Sequence, residues 1–200
     1  MLSGHGAIMT IWLLMIFGTL AAGALILSYN RAQRLRYRLA NARHQIGIQL
    51  TRRHDLIPNL VTIAGAALDH ERNLLTKLAE ARGAAMAALA RGLESSGSFD
   101  AEDGLEQQLH SVIGMVEAWP QLKANQSLLA LQEELTTTEN RIAFARQHYN
   151  DEATRFNFAR AEWPQGIFLT RYPSAALWRR EMKIAVDPAL DPIPSGSAPA

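Results

Sequence analysis

Cysteine is absent from all 200 residues. Disulfides, thiolate nucleophiles, cysteine-type zinc sites and a lipid-anchored cysteine are thereby excluded, although the compartment is left open. Acidic residues are also missing until Asp55, and no charged residue of either sign precedes Arg31. Glycine and proline are scarce, at 13 and 8 residues, and aromatics make up only 7%. Ala, Leu, Arg, Glu and Gln fill the space instead, a composition that favours helices and leaves little room for strands. A net charge of +1 argues against a protein held to nucleic acid by bulk electrostatics. With 48% hydrophobic residues, the chain can bury one sizeable core, and its length suits one domain with an accessory segment rather than two domains.

The uncharged start contains "AIMTIWLLMIFGTLAAGALIL", Ala7 to Leu27. As a helix this run would span about 30 Å, the thickness of a bilayer's hydrocarbon core. A signal peptide would carry its positive charge before a shorter apolar region, whereas here the charge follows. Arg31, Arg34, Arg36, Arg38, Arg43, Arg52 and Arg53 all precede the first acid. This asymmetry predicts a single-pass protein of the cytoplasmic (inner) membrane, with residues 1–6 outside and everything after the span in the cytoplasm. Arg31, Arg34, Arg36 and Arg38 then read as a membrane-proximal flank that orients the chain and snorkels; the same four offer a site for anionic lipid headgroups.

Beyond the span, apolar residues recur in steps of three and four. Leu128, Leu131, Leu135, Thr138, Ile142, Ala145, Tyr149, Glu152, Phe156, Ala159 and Trp163 form a heptad seam on one long helix. The expected fold is all-α: one N-terminal transmembrane helix (7–27), then an antiparallel, coiled-coil-like four-helix bundle over 28–163. Its helices are expected at about 28–54, 56–92, 100–118 and 125–163. The stretch "RRHDLIPNL", Arg52 to Leu60, reads as the corner between the first two, with Asp55 as N-cap and Pro58 in the first helical turn, where proline loses no bond. Asp100 can cap the third helix with Asp103 in its first turn, and Asn125 or Ser127 can cap the fourth. Residues 164–183 form an aromatic and basic segment, and the Pro-, Ala- and Ser-rich 184–200 reads as a disordered tail.

Three stretches carry a resemblance: "SYNRAQRLRYRLANARHQIGIQLTRRHDLIPNLV", "DHERNLLTKLAEAR" and "WPQLKANQSLLALQEELTTTENRIAFARQHYNDEATRFN". Together they resemble the LemA family of bacterial membrane proteins over most of Tyr29 to Asn157. The resemblance implies one N-terminal membrane helix, a cytoplasmic antiparallel helical bundle and no established catalytic residues; the family also includes a magnetosome-associated branch. Gly47 departs from the pattern, standing where an aspartate is usual after "QI", and the usual Gly-Phe ending survives only loosely in "PQGIFLTRYPSAALWRREM".

Chemical motifs are lacking. The sequence contains no HExxH, nucleophile elbow, P-loop or dinucleotide fingerprint. His44, His54, His70 and Glu71 lack metal-ligand spacing. "EELTTTENR", with Glu133, Glu134, Glu139 and Arg141, reads as salt bridging on a long helix rather than acid/base machinery. His54, Glu133 and Glu139 are accordingly expected to be singly dispensable, and Trp119, Trp163 and Trp178 to plug the bundle's ends. No catalytic, metal or cofactor residue is assigned. The reading is a non-enzymatic membrane-anchored scaffold whose partners are the membrane and other membrane or envelope proteins, not nucleic acid; homo-oligomerisation stays open. Its alternatives are a lipid- or membrane-organising protein acting through the basic juxtamembrane helix, including a magnetosome-type role, and an accessory to a membrane hydrolase.

Overall fold

A computed structural model describes residues 3–65, 71–93, 95 and 97–178. Among them lie six helices and no strand: α1 (Ser3–Gly65), α2 (Arg72–Ala90), α3 (Ser98–Ala118), the single turn α4 (Pro120–Lys123), α5 (Gln126–Ala161) and the single turn α6 (Gly166–Leu169). At 63 residues, α1 is about 95 Å long. Its first part projects free of the bundle. From Met9 to Leu27 no side chain is buried, and the helix is long and apolar enough there to cross a membrane. Burial begins at Ser28.

From Leu39 onward α1 buries one stripe: Leu39, Ala42, Ile46, Leu50, Arg53, Ile57, Leu60 and Ala64. The early members pack with Tyr149, Ala153 and Phe156 of α5, the late ones with Leu128, Leu131 and Leu135, so the two helices pass each other in opposite senses. The seam residues Leu128, Leu131, Leu135, Ile142, Tyr149 and Phe156 are all buried, as are the polar Thr138 and Glu152. Leu75, Leu78 and Ala85 of α2 and Leu105, Leu109, Val112 and Val116 of α3 complete the main core. Asn125 caps α5, its Oδ1 accepting from the amides of Ser127 and Leu128 at 3.0 and 3.2 Å.

The corner expected at Asp55 and Pro58 does not exist. α1 runs straight through it to Gly65, with Asp55 exposed mid-helix and Pro58 inside the helix. α2 begins at Arg72 and ends at Ala90, so the expected boundaries 28–54 and 56–92 are both displaced. The physical reason is a substitute hydrogen bond. Proline at 58 has no N–H to give the carbonyl of His54, four residues earlier. Arg82 of α2 donates its Nε–H to that carbonyl instead, at 2.7 Å. The orphaned acceptor is satisfied from a neighbouring helix, and α1 has no need to turn.

Two smaller corrections follow the same logic. α3 starts at Ser98 rather than at 100, because Gly97, at φ +80°, makes the left-handed turn that launches it. Asp100 then falls in the first turn instead of capping. Trp163 is no plug: it is 82% exposed, whereas Trp178 is buried and Trp119 packs half-buried against the main core. The segment 179–200, with the expected tail, and His70 lie outside the described residues.

Gly47 remains helical despite its low propensity. A Cβ built there meets nothing within 4 Å. Gly47→Ala should therefore stabilise the protein by about 0.5–1 kcal/mol, the propensity difference alone, read as a raised thermal midpoint by circular dichroism.

Candidate functional site

The residues of "RRHD" that turn inward build the most polar part of the core. Arg53 continues the apolar stripe of α1 and is only 1% exposed. Its guanidinium ion-pairs with Glu102 of α3, donates again to the Glu102 carbonyl oxygen at 3.3 Å, and reaches both carboxylate oxygens of Glu139 on α5 at 3.0 and 3.3 Å. His54, next along α1 and also buried, places Nε2 at 3.1 and 3.3 Å from the two Glu102 oxygens. A carboxylate only accepts, so this ring nitrogen is the donor. Arg52 faces outward and pairs with Glu134 at 2.8 Å on the surface, where such a pair contributes little.

Burial alone would push the Glu102 carboxyl up, but the hydrogen bond from His54 and the charge of Arg53 hold it below the ordinary carboxylate range. For Arg53 burial again opposes the charge; the fields of Glu139 and Glu102 and their hydrogen bonds outweigh it and raise its pKa. Both groups are thus held ionised in the core. Three helices meet on one guanidinium. A His–carboxylate pair of this kind is able to move a proton, and here both side chains are almost wholly removed from solvent. Among the described residues no three His, Asp or Glu side chains converge as a metal set.

A second polar device fastens the chain after α6. Asn150 Oδ1 accepts from the Trp178 amide and its Nδ2 donates to the Trp178 carbonyl, both at 2.9 Å. Asn157, two turns on, does the same to the amide and carbonyl of Ala175, also at 2.9 Å. Tyr149 donates its hydroxyl to the Ala176 carbonyl at 2.6 Å. The Trp178 ring stacks on Phe99 with centroids 5.0 Å apart and donates Nε1–H to Asp103 at 3.1 Å. Asp103, read above as a first-turn charge, is thus an anchor for the C-terminal segment.

The model of the LemA family matches residues 42–176. The chain belongs to the LemA family. Comparison with curated proteins gives no match. The span shared with other LemA chains begins inside α1 and ends within the segment clamped by the asparagines, so it contains the whole ionic cluster and leaves the apolar start outside.

Of the four arginines that closely follow the apolar run in this LemA chain, Arg31, Arg34 and Arg38 are exposed, while Arg36 is half-buried. Arg36 donates to Gln33 at 2.9 Å and lies 4.0 Å from the centre of the Tyr172 ring. Glu102, Arg82, Asn150 and Asn157 were not singled out by the motif reading. A signal for Glu102 exists: Ser98, Glu102, Leu105, Leu109, Val112 and Val116 share one spacing, placing the acid in register with the buried stripe of α3. His54 and Glu139 are likewise not free surface residues: both belong to the buried ionic cluster.

Proposed function

We propose that this LemA-family chain is a non-enzymatic, single-pass membrane-anchored scaffold. The apolar part of α1 spans the inner membrane with its start outside, and the bundle stands in the cytoplasm as a rigid post for other envelope proteins. The observation that supports this reading is the burial of the acid–base constellation. The side chains most able to do chemistry, His54, Glu102 and Arg53, are spent on locking three helices together, while the exposed face carries apolar groups such as Phe144 at 74% and Ile48 at 50% on one groove between α1 and α5. Rigidity in the centre and apolar anchors outside suit docking.

The test compares two kinds of variant in cells lacking the native copy. Phe144→Glu should keep the melting temperature yet strip function, whereas His54→Gln, in preparations that still fold, should retain it. A folded His54 variant without any activity, alongside a fully active Phe144→Glu, would replace the scaffold with a chemical site. Orientation is checked separately by C-terminal reporter fusions: a cytoplasmic reporter should be active and a periplasmic one silent.

A further inference from the structure

The end of the bundle next to the apolar run has a composition unlike the rest of the surface. α1 and the last turns of α5 enclose a groove of about 540 Å³ lined by Arg31, Arg34, Arg38, Arg155 and Phe158, with Glu162 as its one acid. Arg31, Arg34 and Arg38 are exposed and form no ion pair with a described residue; Arg155 shares one nitrogen with the buried Glu152 at 2.9 Å. Positive charge is therefore in surplus there. Height matters as much as charge. Arg31 and Arg34 follow Leu27 by four and seven residues, which places them about 6 and 10 Å beyond the apolar run along the axis, the depth of a bilayer's headgroup layer.

The chain after α5 returns to the same level. Phe168 meets Tyr29 edge-on with ring centroids 5.5 Å apart, two residues beyond the apolar run. Around this contact Phe158, Trp163 and Ile167 are 66%, 82% and 58% exposed. Large apolar side chains at that height match the aromatic belt found where proteins meet the membrane interface.

The geometry points to a binding groove for the phosphate of one anionic phospholipid, formed jointly by α1 and α5, with Phe158, Trp163 and Ile167 seated in the interface around it. It rests on the membrane anchoring proposed above. The guanidinium fork of Arg155 lies 121 residues from Arg34 in sequence, on another helix, so the site exists only in the folded bundle and differs from the diffuse attraction of a basic flank.

The full-length chain in neutral detergent, titrated with phosphatidylglycerol, phosphatidylcholine or inorganic phosphate and read by native mass spectrometry, tests this. Phosphatidylglycerol should be retained in clear preference to phosphatidylcholine. Arg34→Gln and Arg155→Gln should each reduce that preference about fivefold, the effect of one arginine at a membrane surface. Arg141→Gln, an equal charge loss on the exposed face of α5 outside the groove, should leave it unchanged. Arg34 forms no ion pair with a described residue, so its variant keeps the result independent of folding. Equal retention of both lipids, equal loss in Arg141→Gln, or displacement of the lipid by inorganic phosphate would overturn the groove. Release of the wild-type chain from membranes by carbonate would overturn the anchoring itself, whereas a chain that stays embedded without lipid preference removes only the headgroup site.

Discussion

Glu102→Ala is expected to destabilise the protein by about 3–5 kcal/mol, because it leaves the buried Arg53 guanidinium without its innermost partner. Glu139→Ala should have a smaller effect, about 1.5–3 kcal/mol, since the Glu139 side chain is 19% exposed and Arg53 keeps Glu102. Replacing the ions together, as Arg53→Met with Glu102→Leu, should recover most of the loss, because two apolar side chains avoid desolvating either charge. Denaturant unfolding of the four proteins measures this; equal stability of Glu102→Ala and wild type would mean that Arg53 finds water. A pH dependence accompanies it. The Glu102 carboxyl is held below its ordinary value of 4.5, so its contribution is complete above that range and is lost as pH falls through the lowered value. Glu102→Gln should flatten this acid limb, and an unchanged limb would assign it to other carboxylates.

Arg82→Met is expected to cost about 1–3 kcal/mol, the penalty of leaving a buried carbonyl unsatisfied, although Arg82 touches no other part of the ionic cluster through that bond. Its distinguishing feature is a dependence on residue 58. Pro58→Ala restores an amide hydrogen at the position where a helix supplies the donor to His54's carbonyl. In the Pro58→Ala background, Arg82→Met should therefore be nearly silent. Double-mutant thermal melts should give a coupling of about 1–2 kcal/mol between two residues on different helices. Additive effects would show that the guanidinium does not stand in for the missing amide, and that α1 tolerates Pro58 for another reason.

Much of this architecture could be read from residue order. An apolar run without charge, arginines on one side of it only, and the heptad spacing of Leu128 to Phe156 each depend on local periodicity, which a helix expresses whatever it packs against. The expected corner fails because proline and aspartate are only local signals. Local rules permit a helix start at Asp55, and only Arg82, 28 residues away, removes the reason to stop. A clue lay in the register: Leu39, Ala42, Ile46 and Leu50 continue in phase to Ile57, Leu60 and Ala64, with Arg53 in the seam.

The sequence by itself thus determined the helical class, the apolar segment and the face that α5 buries, because these follow from contacts three and four residues apart. Tertiary structure alone decided that Arg53, Glu102 and Glu139 converge, that Asn150 and Asn157 grip the backbone at Trp178 and Ala175, and that Arg155 joins Arg31 and Arg34 in one groove. Each of those arrangements pairs groups from different helices. Whether a charge faces solvent or a partner depends on where another helix passes, and no spacing within its own helix encodes that.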